Sequence, residues 1–214
     1  IVLGAFGQAG QRCSATSRVV VDRAVREPLI ERLLHRVGAL RLGDPAAAGT
    51  TLGPVVNEAR LNACVEAVGR ATGDGATIRT GGARSSAAEH AHGWFVEPTI
   101  LTDVAWDSEL ATEEIFGPVL AVIDADGYED AMRIANSVKY GMSGTIFTSS
   151  MPLAHRALRE FQAGMLHVNR PGVGAWPHMP HMGAKLSQYG SPECSDETWE
   201  FYTEWRSACI NLAG

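Results

Sequence analysis

The chain has 214 residues, 45% hydrophobic and 20% charged, the balance of an ordinary globular protein long enough to bury a substantial core. A formal net charge of -6, with no cluster of lysine or arginine, counts against a nucleic-acid partner. No uncharged apolar run is long enough to span a membrane, and four cysteines without CxxC spacing fit free thiols in a reducing, cytoplasmic setting.

Short apolar runs alternate with amphipathic segments, the pattern of one α/β domain over 1–214 with a mostly parallel sheet flanked by helices. The sequence opens on Ile1-Val2-Leu3-Gly4, which reads as the interior of something longer. Residues 19–21, all valine, predict a buried strand. Leu29, Ile30, Leu33, Leu34, Val37 and Leu40 then share one helical face, with Gly43-Asp44-Pro45 as the stop. A second helix is predicted from 57 to about 71, with Asn57 as N-cap and Glu58 in its first turn. Residues 77–80 read as a short strand ended by Gly81-Gly82, and 84–92 as a surface loop.

Residues 119–123 read as a strong strand, followed by a helix over 128–137. Strands at 145–148 and 165–168 bracket a helix over 153–162. Beyond Asn169 the chain is rich in Gly, Pro, His and Met as far as Pro192, an irregular stretch of a length that points to function or an interface. The aromatic and β-branched end, 199–210, reads as a C-terminal strand.

Two motifs carry chemistry. Phe6-Gly7-Gln8-Ala9-Gly10-Gln11-Arg12-Cys13 places a thiol after a glycine-rich turn and just before the first strand. A cysteine nucleophile acts as thiolate and needs a positive neighbour, a helix N-terminus or a base; Arg12 is adjacent in sequence. A buried, inert cysteine is the commoner fate of the residue type, and the glycines, which let backbone approach a ligand, favour the reactive reading. About a hundred residues later comes Glu113-Glu114-Ile115-Phe116-Gly117-Pro118. It is either a solvated acidic helix end or a carboxylate held on a rigid turn, suited to accept two hydrogen bonds from paired hydroxyls.

Gly10-Gln11-Arg12-Cys13 and the Glu113–Pro118 hexapeptide, in this order and at this distance, resemble the cysteine and glutamate motifs of the NAD(P)-dependent aldehyde dehydrogenases, in their catalytic domain. Leu52-Gly53-Pro54-Val55, Gly93-Trp94-Phe95-Val96-Glu97-Pro98-Thr99, Tyr140-Gly141-Met142-Ser143-Gly144 and Ala163-Gly164-Met165-Leu166-His167-Val168-Asn169 are weaker matches in the family's order. Together they cover nearly the whole chain. The resemblance implies that Cys13 attacks an aldehyde to form a thiohemiacetal, with its own amide on the oxyanion. Hydride loss would then give a thioester for water to cleave. Glu114 would hydrogen-bond the ribose of the nicotinamide half of NAD or NADP, with Phe116 beside it.

The resemblance also implies that the cofactor is bound mainly by a preceding domain, absent from 1–214. The family's general base, in a Glu-Leu-Gly-Gly stretch, and the asparagine completing the oxyanion hole would fall before Ile1. Residues 1–214 alone are therefore expected to be inactive. Where the family reads Pro-Phe-Gly-Gly, this chain has Pro180-His181-Met182-Gly183. Arg12, Trp176, His178 and His181 are expected to line the aldehyde pocket. A metal at His178 and His181 is not expected, since Pro180 separates them and no third ligand is near.

The tail is similar to the branch acting on semialdehydes such as 2-oxoglutarate semialdehyde. The family's final strand pairs with a neighbouring subunit, which implies a homo-oligomer, dimer or tetramer, through the stretch from Phe201 to Ile210; an edge strand within its own domain is the alternative. Two rival readings stand beside these. One is a non-catalytic interaction or assembly module on the same scaffold. The other is a cofactor-free cysteine hydrolase with His167, His178 or His181 as base.

Overall fold

The computed structural model describes residues 1–174 and 176–212. The helix Val2–Phe6 (α1) runs into the tight turn Gly7–Gly10, and the chain then enters the strand Arg18–Asp22 (β1). Helices Arg26–Gly38 (α2) and Glu58–Gly73 (α3) follow, then strands Thr77–Thr80 (β2) and Thr99–Thr102 (β3). A single helical turn, Glu109–Thr112 (α4), precedes the strand Val119–Ala125 (β4) and the helix Gly127–Asn136 (α5). The rest comprises Tyr140–Gly141 (β5), Ser143–Ile146 (β6), Met151–Glu160 (α6), Met165–Val168 (β7), Ala184–Lys185 (β8) and Thr198–Tyr202 (α7).

The main sheet has the order β1-β4-β3-β2. β1 and β3 run parallel to β4, and β2 is antiparallel to β3. All of β4 except Asp124 is buried, so it reads as a continuous apolar run, as a strand covered on both faces must. Its alternate side chains feed two cores. Val119, Ala121, Ile123 and Ala125 join Leu61, Cys64 and Val68 of α3 and Ile134 of α5. Leu120 and Val122 point the other way, onto Phe6 of α1 and Ile30, Leu33 and Val37 of α2.

The carboxyl ends of these parallel strands are tied shut by charge. Arg26 pairs with Asp124 at 2.8 Å and Asp103 at 2.7 Å, and Arg23 with Asp124 at 3.1 Å and Asp126 at 2.8 Å. The amino ends are left for the turns that enter β1 and β4.

Most predicted elements form where the pattern put them, and the departures have local causes. α2 stops at Gly38, before Gly43-Asp44-Pro45; Leu40 still packs on the same core from outside the helix, which extended the apparent period. The 84–92 segment is no simple surface loop. It carries a bridge from Arg84 to Val96 and a 3-10 turn, Ala88–His90, whose His90 is buried, stacked on Phe95 at 4.3 Å and 2.8 Å from Ser85 Oγ. The strand predicted at 145–148 spans Ser143–Ile146 and ends short of Thr148, because Asn169 takes over the Thr148 backbone, accepting from its N–H at 2.9 Å and donating to its carbonyl at 2.8 Å.

The predicted C-terminal strand is replaced by α7 and an irregular tail. Residues 203–210 join no ladder among the described residues, and a strand exists only where another edge pairs with it. Among the described residues no helix is long and apolar enough to cross a membrane.

Candidate active site

Topology brings the two motifs together. The cysteine turn enters β1 and the Glu113–Pro118 turn enters β4; since these strands are parallel neighbours, with Val19 opposite Val122, both turns lie at one end of the sheet. They touch through glycines. Gly10 has φ +68°, and a Cβ there would overlap the carbonyl oxygen of Gly117 and stand 2.6 Å from its carbonyl carbon. Gly117 rests in turn on Cys64 of α3, whose sulfur occupies the place a side chain would need. Gly10, Gly117 and Cys64 thus form a packed column between the two turns and the helix beneath them.

The cysteine turn is held in a costly shape. Gln8 and Ala9 have φ values of 53° and 55°, left-handed backbone that costs a residue with a Cβ about 1 kcal/mol each. Such strain persists only where surrounding contacts enforce it, and it clusters at functional sites. Here the enforcing contacts are Gln11 Oε1, accepting from Val56 N–H at 2.9 Å, and the Thr16 N–H, donating to the Gly4 carbonyl at 3.1 Å. Cys13 itself is exposed. It follows the first residue of a turn closed by Ala15 N–H on the Arg12 carbonyl at 3.0 Å, and its own amide has no acceptor among the described residues. The Arg12 guanidinium folds back onto Gln8 Oε1.

The second turn separates its two glutamates. Glu113 Oε1 accepts from Lys139 Nζ at 2.7 Å, a bond that raises the lysine pKa. Glu114 is exposed and has no hydrogen bond or ion pair among the described residues. Phe116 sits at φ 53°, and Arg60 of α3 underpins the turn, donating from Nη1 to the Ile115 carbonyl at 2.7 Å with its guanidinium 6.0 Å from the Phe116 ring. A free carboxylate beside a half-buried aromatic ring is a donor set that suits the hydroxyls and flat ring of a nucleoside.

The remaining predicted pocket residues form a separate group. Trp176 and His178 meet edge to face at 6.0 Å, Arg170 lies over Trp176 at 5.1 Å, and His178 lines an open groove with Pro177, Pro180 and residues 195–197. His181 exchanges backbone hydrogen bonds with Glu193, at 2.7 and 3.1 Å. No hydrogen bond, ion pair or ring contact among the described residues joins this group to Cys13. The connection to the thiol runs through the preceding loop and β6. Val173 packs beside Gly4 of α1, and Ser143 Oγ lies 3.5 Å from the Ser14 carbonyl. Among the described residues no three His, Cys, Asp or Glu side chains group to hold a metal.

Several residues of the site were invisible to pattern reading. Arg60, Cys64 and Lys139 act from other elements, and only their helical spacing or charge marked them. Burial pushes the Cys64 thiol up to about 11, against the opposing charge of Arg60, so it is a packing group. Exposure separates Cys13 from Cys64 alone, because Cys194 and Cys209 are also exposed. His167, on β7, has a buried Nε2 with no partner among the described residues, and burial, then the charge of Arg170, lowers its pKa.

An α/β domain whose exposed thiol and carboxylate, unpaired among the described residues, share the amino end of a mostly parallel sheet is the class the fold defines. The profile of the aldehyde dehydrogenase family matches residues 1–208, and the chain belongs to that family. Over 210 residues it is 34% identical to the alpha-ketoglutaric semialdehyde dehydrogenase of Bacillus subtilis (strain 168), covering 98% of this chain and 43% of that protein. Its fold matches the betaine aldehyde dehydrogenase of Staphylococcus aureus in complex with NAD+ with a TM-score of 0.90 at 30% identity, covering 94% of this chain and 40% of that one. It matches a 3,6-anhydro-L-galactose dehydrogenase in complex with NAP (NADP) with a TM-score of 0.88 at 35% identity, covering 92% and 41%. The chain spans about two-fifths of the length of these relatives.

Proposed function

We propose that this chain supplies the thiol and one cofactor contact for NAD(P)-dependent oxidation of an aldehyde to a carboxylic acid. The observation that carries the reading is the abutment of the two turns at Gly10 and Gly117, with Glu114 left unpaired while Lys139 takes Glu113. The Cys13 thiolate adds to the carbonyl carbon, a C–S bond forms, and the carbonyl π pair moves to oxygen. The free amide of Cys13 donates to that oxygen, where charge develops. NAD(P)+, when bound, supplies the acceptor for the hydride that leaves this carbon. Water then cleaves the thioester, releasing the acid and regenerating the thiol. Glu114 would accept from the ribose hydroxyls, and Phe116 would lie beside the same end of the dinucleotide.

For the substrate, the reading is an aldehyde carrying a carboxylate, as in the name of the Bacillus relative. Arg12 and Arg170 carry positive charge, and one face of the Trp176 ring is already taken by Arg170. Arg12, Trp176, His178 and His181 are the proposed lining. The exposed side chains of Trp199, Phe201, Tyr202, Trp205 and Ile210 support a homo-oligomer formed through the stretch from Phe201 to Ile210. Four free cysteines support a reducing compartment, such as the cytoplasm. A polypeptide of residues 1–214 alone is proposed to be inactive, since the dinucleotide would be held mainly by other residues.

The test is made in the full-length protein. Cys13→Ala should abolish aldehyde oxidation, by at least about a thousandfold, and leave thermal stability unchanged. Glu114→Gln should raise the KM for NAD(P)+ at least about tenfold, whereas Glu113→Gln should not. Equal effects of the two glutamate variants would sink the assignment. For substrate, kcat/KM should favour 2-oxoglutarate semialdehyde over betaine aldehyde; the reverse order would overturn the carboxylate preference.

A further inference from the structure

Arg60 stands out once the site is built, because it is a half-buried guanidinium with no ion pair among the described residues. Its one polar side-chain contact there is the carbonyl of Ile115, the residue directly after Glu114. Its backbone is equally fixed. Asn57 caps α3 by accepting from the Arg60 N–H at 2.9 Å, so the side chain springs from the first, anchored turn of a helix. Four residues on, and therefore on the same face of α3, Cys64 backs Gly117.

The turn thus rests on α3 at two points. Arg60 holds the carbonyl before Phe116, and Cys64 fills the space under the residue after it. Between them Phe116 is kept in left-handed backbone at φ 53°, a conformation a residue with a side chain adopts only under constraint. Reversing the chain direction at Phe116 decides where the preceding residues project. Glu113 pairs with Lys139 and Glu114 has no partner among the described residues, and Arg60 bonds to the carbonyl of the residue between Glu114 and Phe116.

We propose that Arg60 is a positioning residue for the cofactor's ribose, acting through the 113–118 turn rather than by touching the reacting atoms. The proposal rests on the reading of Glu114 given above. Arg60 sets the presentation of the Glu114 carboxylate and leaves the cysteine turn to its own contacts.

The test compares Arg60→Met, Arg60→Lys and Glu114→Gln in the full-length protein, measuring the KM for NAD(P)+, kcat, thermal stability and the alkylation rate of Cys13. One lost charge-assisted hydrogen bond predicts a KM for NAD(P)+ at least about tenfold higher in Arg60→Met, with kcat changed less. Arg60→Lys, which keeps a donor and a charge within reach, should recover part of that loss. The Tm and the Cys13 alkylation rate should stay near wild type in both.

A KM within twofold of wild type in Arg60→Met, alongside a raised KM in Glu114→Gln, overturns the proposal and leaves the Glu114 reading standing. Unchanged KM in both variants overturns the Glu114 reading and the proposal together. A fall in Tm with faster alkylation of Cys64, unrescued by lysine, makes Arg60 merely structural and also overturns it.

Discussion

The packed column under the site can be tested by swapping volume between two positions. A methyl group on Gly117 would collide with the sulfur of Cys64, which is fully buried, but would stand 3.7 Å from its Cβ, an ordinary contact. Gly117→Ala alone therefore overpacks the column at a cost of about 2 kcal/mol. Cys64→Ala alone removes one buried heavy atom, at about 1 kcal/mol. If the sites were independent, the double variant would lose the sum, about 3 kcal/mol. Because the new methyl fills the volume the sulfur vacates, the double variant should lose about 1 kcal/mol or less.

The coupling is thus about 2 kcal/mol, within the range measured for residues in contact. A domain of this size shifts its Tm by about 2–4 °C per kcal/mol, so Gly117→Ala should melt about 4–8 °C early and the second substitution should restore at least half of that. Thermal unfolding of the four proteins by circular dichroism reads the cycle directly, and the KM for NAD(P)+ should follow it, since the same column supports the Glu114 turn. A double variant less stable than either single one would refute the packing argument.

The remaining predictions use other parts of the molecule. His167 is held neutral by burial and by Arg170, so its folded pKa lies below the ordinary value of 6.5. The unfolded chain therefore binds the extra proton first, and stability is lost as pH falls below about 6.5. His167→Gln should flatten the urea midpoint between pH 7.5 and 5.0, and an unchanged pH dependence would remove His167 from the account. At the tail, Trp205 is fully exposed, and Trp205→Asp should lower the oligomeric mass measured by light scattering without lowering helix content. An unchanged mass would place the interface elsewhere.

The amino-acid sequence by itself determined most of the elements and nominated the candidate reacting groups. Periodicity placed α3 and its Asn57 cap, the unbroken apolar run placed β4, and the glycines beside Cys13 and Glu114 marked both turns, because local backbone preference and side-chain alternation are written residue by residue. Tertiary structure alone decided what those turns meet. That β1 lies parallel to β4, that Gly10 reaches Gly117, and that Cys64 and Arg60 support the second turn from α3 are contacts between residues tens of positions apart. No local pattern encodes them. The same holds for the pairing of Glu113 with Lys139, where the motif had singled out only Glu114, and for the tail, whose β-forming composition yields no strand without a second edge to pair with.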